Sequence, residues 1–528
     1  MGGNYERSLH NQLTEQIEKT EKLEKENKIL RVENSQLRKE VKKLETKIEK
    51  LEESMAEKIS RYVEEAVKQA TVPLVEELNK AHTEISRLKA IINKDSTNSS
   101  NPPSTNRFKA IPNSREKSGK PQGGQKGHKG NRLKLPENID ELEERGIVER
   151  RLIDYTGGEG EYVSKFTIDL EMKVVITEHR FVEGEVPDTL NNEVSYGDNV
   201  KAQIVLLMNE GIVPHKRLSG IISGMTNNVV NLSTGTINKF QADFAERLTE
   251  AGELAAIEAD LLNGEVMNTD DTSMRVLERI IYPEDEKSDA QVRYERAEKK
   301  SFRATVRTHS NEKSTLYTVN PKKDKKGVER DNILPKYQGI LSHDHEAKFF
   351  NYGKDNASCG GHLSRELKGL ADSYNCPWAL DMRRFILGVN DYKNKDLAME
   401  QTACEPEKLS SFMAEYDLIV GKGREKLSQM KDGEWGRDEF NAMLNRLESH
   451  KNSYTLFIRN YKVPFTNNLA ERDLRNEKTK EKVSGLFRSW KGIEDHSKTR
   501  SFISTLKKRG MDLLGSIKQV LKCEPVLT

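Results

Sequence analysis

The most regular hydrophobic pattern lies near the N-terminus, where leucine recurs at every seventh position. The repeat consists of Leu23, Leu30, Leu37, Leu44 and Leu51. The second core position between them is occupied by Asn27, Asn34, Val41, Ile48 and Met55. Heptad spacing with Glu and Lys on the flanks is typical of a coiled coil, and Asn in the core favours a parallel dimer of fixed register. We therefore predict a coiled-coil dimerisation region over residues 1–95; a single exposed helix is the alternative.

Hydrophobic periodicity stops after Asp95, where DSTNSSNPPSTN leads into KSGKPQGGQKGHKGNRLK. Glycine allows close approach of the backbone to a phosphate chain, and Lys and Arg neutralise its charge. We predict a basic Gly/Pro/Ser-rich linker over residues 96–135; an ordinary linker without a DNA contact is the alternative. The residues expected to contact DNA in this linker are Lys126, Lys129, Arg132 and Lys134.

Two short regions follow the linker. The patches VERRLIDY and MKVVITEHRFVE predict a few strands, and hence a small β-containing segment, over residues 136–195. The helical patterns VKAQIVLLMNEGIVPHKRLSGIISGM and LSTGTINKFQADFAERL predict a helical domain over residues 196–262, with Ser233 available as an N-cap. Short helices separated by a turn are typical of a helix-turn-helix, but an ordinary helical bundle fits the pattern equally well.

Strand patterns return after Gly264, and helical patterns follow them. EVMNTDD, MRVLERIIY, FRATVRT, STLYTVNP and YQGILSHD predict about five strands, and FRATVRT alternates apolar and polar residues with a period of two. From about Ala347 to Lys508 the pattern predicts mostly helices. Strands followed by helices predict a layered α/β or α+β domain over residues 263–510, with residues 511–528 as a C-terminal tail.

Composition narrows the class of protein. A chain of 528 residues exceeds one ordinary core, so we expect a multidomain protein. No apolar run approaches the ~20 residues that span a bilayer, and MGGNYERSLHNQ lacks the apolar core of a secretory signal. The four cysteines form no C-x-x-C pair, which favours a reducing cytoplasm and argues against a Cys-rich zinc module.

Charge is balanced overall but unevenly distributed. Lys and Arg number 87 and Asp and Glu 85. Residues 94–134 carry ten basic and two acidic residues, and residues 472–509 carry twelve basic and five acidic residues. Two basic zones in a nearly neutral protein indicate contact with a polyanion; solvated surface charge is the alternative.

Three acids stand where ligand clefts commonly form. Asp270 and Asp271 follow the strand-like EVMNT, and Asp344 follows the strand-like GILSH. Acids at strand ends, joined by a third acid from a helix, suit Mg²⁺, which accepts a few carboxylates beside water and phosphate oxygens. Taken singly, each acid is more often a turn or cap residue. In FTNNLAERDLR, Asn468 precedes Glu471 at nearly the spacing of a capping box. Taken alone, Glu471 is therefore better explained as a residue that stabilises the start of a helix.

Together and in this order the motifs resemble bacterial insertion-sequence transposases of the IS66 family, which carry a DDE catalytic core of RNase H-like fold. The similarity spans nearly the whole chain. The stretches that carry it are NSSNPPSTN, GKPQGGQKGHKG, YGDNVKAQIV, LSTGTI, NTDDTSMRV, GILSHDHEAKFFNYG and FTNNLAERDLRNEKTKEKVSGLFRS. The resemblance implies that Asp270, Asp344 and Glu471 are the catalytic and metal-binding acids. Asp271 stands where the family more commonly has Glu.

The resemblance also implies an activity, which is Mg²⁺-dependent DNA strand cleavage and strand transfer at terminal inverted repeats. We expect two Mg²⁺ ions as cofactors, with Mn²⁺ as a substitute. The expected partners are the DNA ends of the element, target DNA, further copies of the chain in a homodimer or higher oligomer, and accessory transposition proteins. No membrane contact is expected, and the expected location is the cytoplasm, in association with the nucleoid. Further DNA contacts are expected from Arg472, Arg475, Lys478, Lys482 and Arg488. The alternatives are a non-catalytic coiled-coil DNA-binding scaffold and a Mg²⁺-dependent nuclease on the same fold.

One departure from the family concerns zinc. Members often carry a Cys-rich zinc-binding module after GHKG, but no cysteine precedes Cys359, so that module is excluded and no zinc is expected. Cys359 and His362 form C-x-x-H, and two ligands do not complete a tetrahedral site; we expect these residues, like Asn468, to be structural. His343 and His345 flank Asp344, where they either tune the metal site or contact DNA, or are exposed loop residues.

Overall fold

The computed structural model describes residues 134–155, 161, 163–182, 192–283, 292–298, 300–374 and 376–527, together with a few helical positions between 19 and 92. The predicted coiled coil of residues 1–95 and the linker of residues 96–135 therefore lie almost wholly outside the described residues. Lys126, Lys129 and Arg132 are outside them as well, whereas Lys134 is described and exposed. No helix within the described ranges is both long enough and apolar enough to cross a membrane.

The predicted β-containing segment of residues 136–195 is wrong for the part of it that is described. That part contains one short helix, α1 (Ile139–Glu144), and no strand. The apolar side chains of MKVVITEHRFVE, such as Val175 and Ile176, are exposed. An apolar alternation forms a strand only where a neighbouring strand accepts its hydrogen bonds, and none lies beside it in the described ranges.

The predicted helical region is confirmed and comprises four helices. They are α2 (Asp198–Asn209), α3 (His215–Met225), α4 (Thr234–Glu250) and α5 (Glu253–Leu262). Ser233 caps α4 as predicted, because its Oγ accepts a hydrogen bond from the amide of Thr236 at 3.0 Å. The helix-turn-helix interpretation of this region stays a prediction.

The larger of the two sheets in the described residues is mixed and has five strands. Its strands are β1 (Val266–Val276), β4 (Phe302–Ser310), β5 (Thr315–Asn320), β6 (Ile340–His343) and β7 (Asp355–Ser358), in the order β5-β4-β1-β6-β7. The pairs β1–β4 and β4–β5 are antiparallel, whereas β1–β6 and β6–β7 are parallel. A separate hairpin pairs β2 (Glu278–Ile281) with β3 (Arg293–Arg296). Helix α6 (Lys325–Asp331) and two 3₁₀ turns, Leu334–Lys336 and Ala347–Asn351, connect the strands.

The structure corrects the predicted strand boundaries at the first acids. EVMNTDD and the start of MRVLERIIY form the single eleven-residue strand β1, so Asp270 lies in the middle of a strand rather than after one. Strand β1 pairs with β4 along residues 268–276 but with β6 only along residues 266–268. Beyond Asn268, β1 therefore has no paired strand on its β6 side among the described residues, and Asp270 lies two residues past the last pair. Asp344 directly follows β6, as predicted.

The C-terminal half is helical, as predicted. Between β7 and the Glu471 helix lie α7 (Gly360–Tyr374), α8 (Pro377–Ala398), α9 (Pro406–Ser428), α10 (Arg437–Ser449) and α11 (Lys451–Arg459). These five helices enclose a core of their own that includes Trp378, Tyr416 and Phe440. The remaining helices are α12 (Asn468–Ser484), α13 (Trp490–Lys508) and α14 (Leu513–Leu521).

Helices from both ends of the described chain pack together beside the sheet. Helix α12 packs on β1 and β4, and α13 packs on β5 and against α4. Helix α14 belongs to the same core, because Ile517 and Val520 are buried with Phe244 of α4 and Phe502 of α13. The predicted tail of residues 511–528 is therefore an integrated helix, and the helical region around α4 shares its core with the end of the chain.

Candidate active site

Two of the predicted acids come together where β6 leaves β1. In the parallel pairing Val266 lies opposite Ile340 and Asn268 opposite Ser342. The same offset, carried two residues further, brings Asp270 beside Asp344. Asp270 therefore lies within the continuous strand β1, and Asp344 is the first residue after the neighbouring strand β6. Both carboxylates lie at the place where the two strands separate.

Strand alternation separates Asp270 from Asp271. Successive side chains of a strand point to opposite faces, and the Asp271 carboxylate is buried among three cations. It lies 3.3 Å from Arg307 Nη2, 2.8 Å from Lys323 Nζ and 2.7 Å from Lys348 Nζ. The charge of Asp271 is thus compensated within the fold. Among the described residues, Asp270 accepts only a backbone hydrogen bond, from the amide of Asp271 at 2.7 Å.

Glu471 lies in the first turn of α12, and Asn467 fixes where that helix begins. Asn467 is the N-cap and is fully buried, whereas Asn468 is the first helical residue and is exposed. The Asn467 amide Nδ2 donates to the carbonyl of Thr269 at 2.8 Å, and its Oδ1 accepts from Asn268 Nδ2 at 2.9 Å. The predicted capping role of Asn468 is therefore wrong: Asn467 occupies the N-cap position, and its side chain bonds to β1 instead of to the amides of its own helix.

A second contact holds α12 on the other strands. Asp473 Oδ2 accepts hydrogen bonds from Ser310 Oγ at 2.7 Å, Thr315 Oγ1 at 3.0 Å and Lys508 Nζ at 2.9 Å. These donors belong to β4, β5 and α13. Together with Asn467, Asp473 fixes both the start and the rotation of the helix, and so the side on which Glu471 lies.

Electrostatics shows that the three acids share one environment. Burial raises the pKa of Asp270 well above its ordinary value, and the nearby carboxylates of Asp344, Asp271 and Glu471 raise it further. Burial and the carboxylate of Glu346 raise the pKa of Asp344 to about 6. One oxygen each of Asp344 and Glu471 is buried without a hydrogen-bond partner among the described residues. Such a set of oxygens, buried and mutually repelling, has the chemistry of a site for a hard divalent cation.

Cys359 and His362 lie against Glu471 as well as in the core. Both are at the start of α7, and the Cys359 thiol is buried. His362 Nδ1 lies 3.6 Å from Glu471 Oε1, and the possible ligand atoms of the three residues all lie within 4.8 Å of one another. The sequence predicted packing for the C-x-x-H pair but gave no signal of this third neighbour.

His343 and His345 are packed residues, not exposed loop residues. His343 is fully buried, with Nε2 3.1 Å from Asn356 Oδ1. The His345 ring stacks on Tyr454, and its Nδ1 lies 3.0 Å from the Tyr454 hydroxyl. Burial lowers the pKa of His343 to about 4 and that of His345 to about 3, so both rings are neutral at pH 7. They support the loop that carries Asp344.

The basic residues in and just after α12 differ in exposure and in whether they have a bonding partner. Arg472 and Arg475 are exposed, have no ion-pair partner in the described part of the chain and line a cleft of about 1240 Å³. Lys478 instead donates to the carbonyl of Ser273 at 2.7 Å. Lys482 and Arg488 are exposed. The helix that carries Glu471 therefore offers two free guanidinium groups to an anion in the cleft.

The two neighbouring asparagines give a test of how α12 is anchored. Asn467→Ala leaves Asn268 and the Thr269 carbonyl without their partner in the core, so we expect it to lower the free energy of unfolding by about 1–3 kcal/mol. Asn468→Ala changes an exposed residue and is expected to shift it by less than about 0.5 kcal/mol. Urea unfolding measures both variants. A cost at Asn468 that equals or exceeds the cost at Asn467 would contradict this anchoring.

Asp344 should make stability depend on pH. Its folded-state pKa of about 6 exceeds its ordinary value of 3.8, so the folded state loses stability as pH rises from about 4 to about 6. In metal-free buffer we expect Asp344→Asn to stabilise the protein by up to about 3 kcal/mol at pH 8, shrinking to about a third of that at pH 4.5. Urea unfolding at both pH values checks this, with Asp438→Asn, an exposed acid of α10, as the control. A gain that is equal at both pH values would refute it.

The match to a known family agrees with this arrangement. A family model described as "Transposase IS66 family" matches residues 193–495, which is more than half of the chain. No curated protein and no solved structure matches the chain. The matched range contains the five-stranded sheet, all three acids and the start of α13. The chain therefore belongs to the IS66 family of transposases.

Proposed function

We propose that the protein cleaves DNA at the terminal inverted repeats of an insertion sequence and transfers the freed strand to target DNA, with Asp270, Asp344 and Glu471 as the catalytic acids. The observation that carries this proposal is their convergence: a continuous strand, the end of its parallel neighbour and the first turn of α12 bring three carboxylates near enough to perturb the pKa of Asp270. The mixed sheet with flanking helices supports the RNase H-like fold implied by the resemblance.

The three acids would hold two Mg²⁺ ions, for which Mn²⁺ is a substitute. The buried oxygens of Asp344 and Glu471 that lack partners among the described residues, and the repulsion between the acids, fit such ions. Bound there, Mg²⁺ would make a water or hydroxyl a stronger nucleophile at neutral pH and stabilise the charge on the leaving oxygen. Asp271 is not counted among the ligands, because Arg307, Lys323 and Lys348 already neutralise it.

Two successive reactions would use the same acids. Water first attacks a phosphodiester at the element's end, which releases a strand with a 3′-hydroxyl group. That hydroxyl then attacks a phosphodiester of the target, so one bond forms as another breaks. Neither reaction needs a covalent protein–DNA intermediate or a Ser or Tyr nucleophile. Arg472 and Arg475 would bind phosphates in the cleft that they line, because they are exposed and free of ion pairs in the described residues. None of the three acids lines that cleft, so these phosphates would belong to a part of the DNA away from the scissile bond.

The rest of the proposed assembly follows from the sequence patterns. A dimer joined by the heptad region of residues 1–95 would bring two protomers, and hence two DNA ends, together. The basic linker, with Lys126, Lys129, Arg132 and Lys134, would add contacts to the phosphate backbone. A role for accessory proteins and a nucleoid-associated location belong to the same proposal.

Single substitutions of the acids test the catalytic assignment. We expect Asp270→Ala, Asp344→Ala and Glu471→Ala each to reduce Mg²⁺-dependent cleavage of terminal inverted-repeat DNA by about a thousandfold or more, because the metal is worth several kcal/mol to the reaction. Asp438→Asn serves as the exposed acidic control and should cut like the wild type. If all three alanine variants cut as well as the wild type, the assignment fails.

The same assay separates the alternative functions. DNA binding that survives chelation, with no nicking by the wild type under any condition, would identify a non-catalytic scaffold. Cleavage without joined products on added target DNA would identify a Mg²⁺-dependent nuclease. Joined products that disappear in the three alanine variants would support the transposase proposal.

The free arginines of α12 should contribute to DNA affinity through charge. We expect the double variant Arg472→Ala and Arg475→Ala to weaken DNA binding at all sequences and to reduce the salt dependence of log K by about 2, one unit per phosphate contact. The matched control, Lys518→Ala with Lys522→Ala, removes the same charge from helix α14 and its end, outside the cleft. Equal effects of the two double variants on the salt dependence would refute a specific role of the cleft.

A further inference from the structure

A second possible metal site lies next to the acids and shares one of them. Cys359 Sγ, His362 Nδ1 and a Glu471 carboxylate oxygen all lie within 4.8 Å of one another. Among the described residues no other group of three His, Cys, Asp or Glu side chains is gathered so closely. Its donor atoms are sulfur, nitrogen and oxygen, a set that suits a borderline-soft cation better than Mg²⁺.

The separation of two of the ligand atoms is close to that in a tetrahedral site. Bonds of about 2.0–2.1 Å from zinc to nitrogen and oxygen place two such ligands roughly 3.4 Å apart. His362 Nδ1 and Glu471 Oε1 are separated by 3.6 Å. Both atoms are buried, and neither has a hydrogen-bond partner in the described part of the chain. Two buried polar atoms that face each other 3.6 Å apart, beyond hydrogen-bond distance, leave a place that a cation would fill.

The backbone holds the three ligands in fixed positions. Cys359 continues from β7, its amide donating to the carbonyl of His343 at 2.9 Å, and His362 follows in the first turn of α7. The amide of Gly360 donates to the carbonyl of Phe465 at 2.8 Å. A Cβ at Gly360 would collide with the Phe465 ring, so only glycine allows this approach. The segment that begins α7 is thereby tied to the segment that precedes Glu471.

The start of α12 also reaches the cysteine directly. The amide of Asn467 donates to Cys359 Sγ at 3.3 Å. The same residue bonds to β1 through its side chain and accepts the amide of Glu471 on its carbonyl at 3.2 Å. Asn467 therefore positions both the Cys359 sulfur and the helix turn that carries the Glu471 carboxylate. The cluster is thus held in place by the backbone and does not depend on flexible side chains.

We propose that Cys359, His362 and Glu471 form a binding site for one thiophilic divalent cation, with Zn²⁺ as the natural candidate and a fourth position open to water or a phosphate oxygen. The sequence led us to expect no zinc because C-x-x-H supplies two ligands; the fold adds the third. This site is distinct from the Cys-rich module that the chain lacks. A consequence, which rests on the proposed function, is that an ion bound here engages the Glu471 carboxylate and inhibits Mg²⁺-dependent cleavage.

The binding test uses Co²⁺ as a spectroscopic probe with the full-length protein. We expect one equivalent of Co²⁺ to give a thiolate-to-cobalt charge-transfer band in the near ultraviolet and to be displaced by Zn²⁺. Cys359→Ser should abolish the band, and His362→Gln should weaken binding at least about tenfold. Cys523→Ser, which removes the exposed thiol at the other end of the chain, should leave the band unchanged.

Two further variants keep this result separate from the catalytic proposal. Asp270→Asn and Asp344→Asn are expected to lose cleavage but to keep the Co²⁺ band, because neither residue belongs to the cluster. In the wild type, stoichiometric Zn²⁺ should suppress cleavage in excess Mg²⁺, and His362→Gln should require at least about tenfold more Zn²⁺ for the same suppression.

Several outcomes would overturn the proposal. No charge-transfer band in the wild type, a band that persists in folded Cys359→Ser, or a band lost in Cys523→Ser would each show that the cluster is not the site. If His362→Gln binds Co²⁺ like the wild type, His362 is not a ligand. A correct band without inhibition by Zn²⁺ would retain the binding site and refute only its effect on Glu471.

Discussion

The hydrogen bonds of one buried side chain, Asn467, fix the geometry on which the candidate active site depends. Asn467 stands between α12 and β1 and bonds to Asn268 and Thr269, two and one residues before Asp270. Because both bonds are made in the core, where unpaired amides are costly, the helix can begin only at this point. Glu471 then lies one helical turn from the anchor, on the side where β6 has left β1.

The site gathers like charges that the fold compensates only in part. On one face of β1, Asp271 is neutralised by three cations, whereas on the other Asp270 lies near Asp344 and Glu471 and has no such partner in the described part of the chain. Burial and repulsion raise the pKa of Asp270, which means that the charged form is disfavoured until a cation binds. Two adjacent residues of similar chemistry thus have opposite roles, one structural and one available for a ligand.

Glu471 lies between two kinds of donor. Towards β1 it shares an environment with hard carboxylate oxygens, and towards α7 it faces the nitrogen of His362 and the sulfur of Cys359. Hard cations prefer the first set and thiophilic cations the second. A single side chain on an anchored helix can therefore join either set, and under the proposed function this would couple cleavage to the kind of metal available.

Local patterns in the sequence determined the helical region, the cap at Ser233 and the strand that ends just before Asp344, because periodicity and capping depend on neighbouring residues. The set of three acids was implied by the resemblance to a known family. The sequence did not show that β1 continues through Asp270, nor which of two adjacent asparagines caps α12. Those features depend on partners far along the chain. Pairing with β4 extends β1 through Asp270, and a hydrogen bond from Asn268 holds the side chain of Asn467. The meeting of C-x-x-H with Glu471 likewise required the tertiary fold, since more than a hundred residues separate them.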